Sequence, residues 1–148
     1  MVVTGIGRSI TMLNRTHALT LVPTVMPDPI KSFQDCVDAA KKRIREISAE
    51  ELRAKMDARE TLLIIDVRES DSHQEGRVPG AVNIPRGCLE MDVGERAKDP
   101  NQLIVTHCGG GGRSALAAET LQAMGFKNVF SLAGGLKGWK AKGFSVER

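Results

Sequence analysis

The 148-residue sequence has few aromatic residues, few cysteines and no long hydrophobic run. Aromatic residues make up 3%, and the net charge of +3 is not gathered into a basic run, which argues against nucleic-acid binding. The longest apolar stretch, 18–26, contains Pro23 and is shorter than the roughly 20 residues that cross a bilayer, so we expect no membrane span. With 41% hydrophobic residues, the chain is predicted to form one globular core.

The three cysteines, Cys36, Cys88 and Cys108, are far apart and odd in number, which excludes a disulfide framework and a CxxC metal site. The three histidines are equally scattered, so neither a zinc site nor another cofactor is expected. At least one thiol is predicted to be free. A free thiol fits a reducing compartment, and the expected location is therefore the cytoplasm.

The first 27 residues contain two arginines and no acidic residue, a composition loosely like that of a transit peptide. Prolines at 23, 27 and 29 favour an extended linker, because each fixes its own φ and restricts the preceding residue. We predict a flexible leader and linker over 1–29 and a folded domain over 30–148. Targeting to an organelle through the leader is the alternative to a cytoplasmic location.

The domain is predicted to begin with an extra helix. Ser32 and Asp35 have the spacing of a helix start, and apolar residues follow with helical spacing: Phe33, Val37, Ala40, Ile44 and Ile47. Ser48 and Glu51 form a capping-box pattern that opens a second helix to about Ala58. Ile47, just before that helix, fits a short strand or a hydrophobic staple as well.

The remaining sequence alternates between strand and helix patterns. Short apolar runs predict strands at 62–67, 81–84, 103–108 and 128–132. Helices are predicted at 113–124, where Gly125 provides a left-handed cap, and around 136–140. Alternating strands and helices indicate an α/β fold with a mostly parallel sheet flanked by helices.

The candidate functional segment starts at Cys108, at the end of a predicted strand. Parallel sheets bind their ligands beyond the carboxyl ends of the strands. The residues that follow are Gly109, Gly110, Gly111, Gly112, Arg113 and Ser114. Their backbone N–H groups can surround an anion, since glycine adopts positive φ freely and has no Cβ. Four successive glycines cost more backbone entropy than an ordinary turn requires. We expect Gly110→Val to distort this cradle.

The Cys108 thiol is predicted to ionise readily. The dipole of the following helix and the guanidinium of Arg113 should both lower its pKa, so that no general base is needed. His107 is adjacent, but strand alternation directs it away from Cys108 and we interpret it as structural. Cys36 on the first helix and Cys88 in a loop have no such surroundings. The competing interpretation of Cys108 is a buried cysteine beside a flexible turn.

Several segments together resemble the rhodanese (sulfurtransferase) family over about residues 47–144. They are 63–69 (LIIDVRE), 76–85 (GRVPGAVNIP), Cys108 to Ala115, and 132–135 (LAGG) followed by Trp139. The resemblance implies a single rhodanese domain with a five-stranded, mostly parallel sheet between helices on both faces. It places the active site in the loop after the fourth strand.

The resemblance also implies a mechanism and its partners. The Cys108 thiolate would take the outer sulfur of a small anionic donor such as thiosulfate, forming a persulfide, and a thiol or protein acceptor would remove that sulfur. The N–H groups of Gly109, Gly110, Gly111, Gly112 and Ser114 would stabilise the sulfur anion, and Arg113 would attract the donor. Asp66 and Arg68 are common to the family and are interpreted as a supporting ion pair.

Two other functions remain open. A loop without specificity side chains fits a sulfur-carrier or interaction module loaded by a partner protein. A phosphatase or arsenate reductase is disfavoured, because four residues separate Cys108 from Arg113, one fewer than in those related enzymes. The sequence departs from the family at Arg77, where histidine is usual, and at His73, where an aromatic residue is usual; both departures affect the expected donor preference.

Overall fold

The computed structural model describes residues 25–148. Contacts divide the chain between Ile30 and Lys31, and the domain runs from Lys31 to Arg148. Residues 25–30 are exposed and have no regular secondary structure. The leader predicted over 1–29 lies for the most part outside the described residues. No helix within 25–148 has the length and apolar character needed to cross a membrane.

Helices and strands alternate along the domain. The helices are α1 (Phe33–Lys41), α2 (Ala49–Asp57), α3 (Ser70–Glu75), α4 (Leu89–Arg96), α5 (Gly112–Ala123) and α6 (Gly135–Ala141), with a 3-10 turn at Arg86–Cys88. The strands are β1 (Arg45–Ile47), β2 (Leu63–Asp66), β3 (Val82–Asn83), β4 (Ile104–His107) and β5 (Val129–Leu132). The α/β fold class predicted from the sequence is confirmed.

The five strands form one sheet in the order β1-β5-β4-β2-β3, and every neighbouring pair is parallel. The sheet is thus wholly rather than mostly parallel. Asp66 and His107 are register partners at the carboxyl ends of β2 and β4. The loops after these two strands therefore begin side by side at one edge of the sheet.

Apolar residues cover both faces of the sheet, as expected for strands of a parallel sheet. On one face, Ile65 and Ile104 pack with Leu89 and Val93 of α4 and Leu121 of α5. On the other face, a second cluster joins the sheet to α2 and α6; it comprises Ile47, Leu52, Ile64, Val105, Leu132, Leu136 and Trp139. Trp139 is fully buried, and the Nε1–H of its ring donates to the Ser145 carbonyl at 2.9 Å.

The N-terminal helix is shorter than the apolar spacing predicts. The helix start predicted at Ser32 and the capping box predicted at Ser48 are both present, and each is a capping box in the structure. Helix α1 nevertheless ends at Lys41, and Ile47 belongs to β1, which pairs with β5. The reason is that pairing with the sheet edge satisfies the backbone groups of 45–47, a long-range competitor that helical periodicity does not reveal.

Two helices, α3 and α4, are absent from the sequence prediction. Helix α4 has a readable signal, because Leu89, Val93 and Ala97 recur every four residues and are all buried. Helix α3 has no buried residue and no side-chain cap, so it offers neither of the patterns by which short helices are recognised. Both helices fill connections between strands and leave the sheet order unchanged.

Candidate active site

Hydrogen-bond donors converge on the sulfur of Cys108, directly after β4. The backbone N–H of Gly111 donates to Sγ at 3.1 Å and that of Ser114 donates at 3.4 Å. The Ser114 hydroxyl lies 3.4 Å from the same sulfur. The sequence prediction of an N–H cradle around Cys108 agrees with this geometry at Gly111 and Ser114.

Helix α6 binds the first two carbonyl groups of the Cys108 loop, on the side away from the sulfur. The N–H of Leu136 donates to the Cys108 carbonyl at 2.8 Å, and the N–H of Lys137 donates to the Gly109 carbonyl at 3.0 Å. Close approach of the two backbones requires glycine at 135, where an added Cβ would lie 2.6 Å from the Gly109 oxygen. Gly135 therefore influences the shape of the Cys108 loop from helix α6.

The four loop glycines serve different purposes. Gly111 has φ +102°, a backbone conformation that residues other than glycine rarely adopt. A Cβ on Gly112 would lie 3.0 Å from the ring of Phe33 on α1. Gly109 and Gly110 lie outside the positive-φ region, and a Cβ added to either would meet nothing within 4 Å. The expectation that Gly110→Val distorts the cradle is therefore not supported, since that position has open space.

Cys108 is 1% exposed, and burial raises the pKa of its thiol. Hydrogen bonds from the Ser114 hydroxyl and from the N–H groups of Ser114 and Gly111, with a smaller contribution from the nearby N–H of Gly110, act in the opposite direction and outweigh burial. The net result is a thiol pKa below its ordinary value. Donors aimed at the sulfur stabilise the charged form, as the sequence predicts.

Arg113, predicted to act on the thiol, is exposed at the second position of α5. Among the described residues, the hydrogen-bond partners of the Cys108 sulfur are Gly111 and Ser114, and Arg113 is not one of them. The lowered thiol pKa is accounted for by hydrogen bonds rather than by the guanidinium. An exposed cation at this place remains available to an anion approaching the loop.

Two buried hydroxyl groups behind the loop were not found from the sequence. Ser131 of β5 is fully buried, and its Oγ lies 2.9 Å from that of Ser114. Thr106 of β4 donates from its hydroxyl to the Ser114 carbonyl at 2.8 Å. The sequence shows only a hydroxyl residue within a mostly apolar strand, which does not indicate what the hydroxyl contacts.

Asp66 and Arg68 form the predicted ion pair at the neighbouring strand end. Arg68 donates to both carboxylate oxygens, from Nε at 3.0 Å and from Nη2 at 2.8 Å. His73 Nδ1 lies 2.9 Å from the same carboxylate, so the histidine that departs from the family pattern is a partner of Asp66. Burial raises the pKa of Asp66, but the hydrogen bonds from Arg68 and the other partners leave it below its ordinary value.

His107 is fully buried between these two strand ends. Its Nδ1 lies 3.4 Å from the Cys108 carbonyl oxygen, and its Nε2 has no hydrogen-bond partner among the described residues. Burial lowers the pKa of His107 to about 4 despite the Asp66 carboxylate 3.8 Å away. A neutral, buried imidazole without contact to the sulfur fits the structural interpretation made from the sequence.

The remaining predicted positions lie away from the sulfur cradle. Cys36 lies on α1, as predicted, and is exposed. Cys88 ends the 3-10 turn and packs against the core rather than lying in a loop. Arg77 pairs with Glu147 at 3.4 Å. Within 25–148, no cluster of histidine, cysteine and acidic residues has the arrangement needed to hold a metal ion.

The chain is similar to proteins of known family. The family model described as "Rhodanese-like domain" matches residues 48–142. The candidate sulfur carrier protein YrkF of Bacillus subtilis is 37% identical over 99 residues, which cover 67% of this chain and 52% of that protein. The chain thus spans about half the length of this relative.

Two further similarities extend over most of the length of the matched protein. Thiosulfate sulfurtransferase GlpE of Coxiella burnetii is 35% identical over 68% of this chain and 88% of its own length. A solved structure from Rhodopseudomonas palustris, described as a protein of unknown function and possible tyrosine phosphatase, has a TM-score of 0.71 at 30% identity and covers 83% of this chain and 100% of its own. Because the family model spans most of the parallel sheet and the whole Cys108 loop, the chain belongs to the rhodanese-like domain family.

Proposed function

We propose that this protein is a thiosulfate or persulfide sulfurtransferase that carries sulfur on Cys108. Its relatives support sulfurtransferase activity in general. The observation that carries the finer proposal is the convergence of the Gly111 and Ser114 N–H groups on one buried sulfur. The same donors that stabilise a thiolate can stabilise the anionic outer sulfur of a persulfide.

The first step transfers one neutral sulfur atom. The Cys108 thiolate attacks the outer sulfur of thiosulfate, a new S–S bond forms, and the old S–S bond breaks with its electron pair leaving on sulfite. The charges of thiolate and thiosulfate then reside on the persulfide anion and sulfite. The exposed guanidinium of Arg113 would attract the doubly charged donor.

The second step returns the enzyme to its starting state. An acceptor thiolate, or cyanide in an assay, attacks the outer sulfur of the persulfide. The bond between the two sulfur atoms breaks, and its electron pair remains on Cys108 as the thiolate. No redox cofactor is required by this balance, because each step exchanges one nucleophile for another at the same sulfur.

The direct test is the intact mass of the protein after incubation with thiosulfate. We expect a gain of one sulfur atom that disappears after treatment with cyanide. Cys108→Ser should abolish the gain, while Cys36→Ser and Cys88→Ser, at the two other free cysteines, should retain it. Absence of the adduct, or an adduct that persists in Cys108→Ser, would refute the proposal.

Arg113 is tested by its effect on the donor. Arg113→Ala should raise the KM for thiosulfate with a smaller change in kcat, because an exposed charge that attracts the donor contributes mainly to binding. Arg113→Lys should recover part of the loss. Equal KM values in the parent, Arg113→Ala and Arg113→Lys proteins would show that Arg113 does not contribute to donor binding.

A second candidate is a sulfur-carrier module that a partner protein loads. The open space at Gly109 and Gly110 favours it, since no side chain there restricts a large partner. The relative YrkF, which carries the name of a sulfur carrier, gives the same indication. Loading of Cys108 by a cysteine desulfurase, with slow thiosulfate turnover, would favour this candidate; fast thiosulfate turnover without a partner would reject it.

A phosphatase or arsenate reductase is the third candidate. It is considered because a similar solved structure is described as a possible tyrosine phosphatase. Four residues between Cys108 and Arg113 make a small cradle, which fits a sulfur atom better than a tetrahedral oxyanion. Hydrolysis of a phenyl phosphate that depends on Cys108 would support it. No such hydrolysis is expected.

A further inference from the structure

Ser131 lies behind the Cys108 loop and does not touch the sulfur. It occupies the third position of β5, is fully buried, and its Oγ lies 2.9 Å from the Ser114 Oγ. Ser114 in turn lies 3.4 Å from Cys108 Sγ. Three polar atoms thus form a chain with two links, from Ser131 through Ser114 to the sulfur.

The hydrogen count of this chain depends on whether Cys108 is ionised. With a thiolate, the two hydroxyl hydrogens fill both links: Ser131 donates to Ser114, and Ser114 donates to the sulfur. With a thiol, three hydrogens share the two links: the thiol donates to Ser114 Oγ, and the Ser114 hydroxyl donates to Ser131 Oγ. The Ser131 hydroxyl is then left without an acceptor among the described residues. Because an unpaired buried donor is unfavourable, the chain stabilises the thiolate.

We propose that Ser131 is a positioning residue that directs and polarises the Ser114 hydroxyl toward the Cys108 sulfur. In the thiolate state the Ser131 hydroxyl donates to Ser114 Oγ, which leaves the Ser114 hydrogen for the sulfur. Donation into an oxygen strengthens the hydrogen bond which that oxygen donates in turn. The inference rests on the proposed function only in that the same thiolate is the nucleophile.

Other ionisable groups near the sulfur do not interfere with a measurement near neutral pH. The pKa of His107, whose ring contacts the Cys108 carbonyl, is lowered by burial to about 4, so the ring stays neutral. Asp66 remains ionised in its pair with Arg68. Arg113 is exposed on α5 and makes no hydrogen bond to the sulfur. The transition in the alkylation rate is therefore that of the thiol.

The test is the pH dependence of iodoacetamide alkylation in a Cys36→Ser, Cys88→Ser background, where Cys108 is the remaining cysteine. In this background, Ser131→Ala should raise the midpoint, which lowers the alkylation rate about two- to fivefold at pH values below the midpoint of the parent, while the rate at high pH stays close to that of the parent. A merely structural defect would instead reduce the plateau at high pH or lower the melting temperature.

A matched pair separates the hydroxyl from the volume of the side chain. Ser131→Thr and Ser131→Val have the same shape, but only threonine retains the hydroxyl, so threonine should keep the midpoint near that of the parent and valine should raise it as alanine does. Equal midpoints for parent, alanine and valine variants would overturn the inference. The alkylation test does not use a sulfur donor, so failure of persulfide formation in the parent is detected separately, by its mass.

Discussion

Two neighbouring strand ends of this domain hold an anionic group in opposite ways. At the end of β2, the Asp66 carboxylate is bound by the charged side chain of Arg68 and by His73. At the end of β4, the Cys108 sulfur is bound by backbone N–H groups and a hydroxyl. The first anion is neutralised by a cation within the fold, whereas a thiolate at the second position is stabilised by dipoles without a paired charge.

The comparison shows how adjacent loops separate stability from chemistry. Fixed dipoles stabilise a charge without a counter-ion that an incoming reagent would have to displace. A bidentate ion pair, in contrast, occupies both oxygens of a carboxylate and fixes its orientation, so the carboxylate stabilises the fold and is a poor nucleophile. A substitution at one strand end should therefore have little effect on the anion at the other.

The largest effect is expected at the Asp66 end. Asp66→Asn leaves the buried Arg68 guanidinium without its charged partner and should lower the free energy of unfolding by about 3–5 kcal/mol, measured by denaturant unfolding. The midpoint of Cys108 alkylation should change little. The control Glu46→Gln removes a surface pair with Lys41 at 3.8 Å and should cost less than about 1 kcal/mol. A comparable loss of unfolding free energy in both variants would show that the buried pair is no more important for stability than the surface pair.

Acid should destabilise the region between the two ends. Since burial lowers the pKa of His107 from 6.5 to about 4, the unfolded chain binds a proton more readily than the folded one, and stability is lost as pH falls from 6.5 to 4. The loss amounts to roughly 3 kcal/mol. The Asp66 pKa, lowered in the fold, adds a loss of the same sign at still lower pH.

Unfolding measured by denaturant between pH 7 and 4 checks this prediction. His107→Gln should flatten the pH dependence in that range, because the group that takes up the proton is gone. A slope that is the same with and without His107 would show that another group is responsible.

A smaller effect on stability and a larger one on the thiol are expected at Gly111. Gly111→Ala places a side chain at φ +102°, 3.3 Å from the Gly134 nitrogen, which should cost about 1–3 kcal/mol. The strain should turn the Gly111 N–H away from the sulfur and raise the thiol pKa. Alkylation against pH gives the pKa, and denaturant unfolding gives the cost. A thiol pKa that stays at the parent value would mean that this N–H does not hold the thiolate.

The smallest effect is expected at the neighbouring Gly110. Gly110→Ala meets open space outside the positive-φ region, and its N–H is retained, so the variant should be more stable by about 0.4–1 kcal/mol with an unchanged thiol pKa. The two substitutions differ by one position in the same loop and together separate required glycines from permissive ones. A loss of stability at Gly110 as large as that at Gly111 would contradict this division.

Much of the fold was predictable because its signals are local. The capping boxes at Ser32 and Ser48 and the short apolar runs of the strands depend on nearest neighbours, and they reappear in the structure. The extent of α1 was not predictable, because the partner of 45–47 is β5, more than eighty residues away along the chain. Helix α3 was missed for the opposite reason, since it buries nothing that a pattern could mark.

The candidate site divides in the same way. Cys108, the glycine run and Ser114 stand together in the sequence and could be selected by their chemistry alone. The contributions of Gly135, Ser131 and Phe33 come from three other elements and depend on distances of a few ångströms. The weaker part of the prediction was the role of Arg113 in lowering the thiol pKa, because sequence proximity does not fix where a long side chain points.

By itself the sequence determined a cysteine at a strand end, followed by backbone that is free to curl, because residue order and glycine's missing Cβ are covalent properties. Only the tertiary structure decided which N–H groups reach the sulfur, which glycines are indispensable and which hydroxyls stand behind them. Those outcomes depend on how α6, β5 and α1 pack against the loop, and packing is set by contacts between residues distant in the chain.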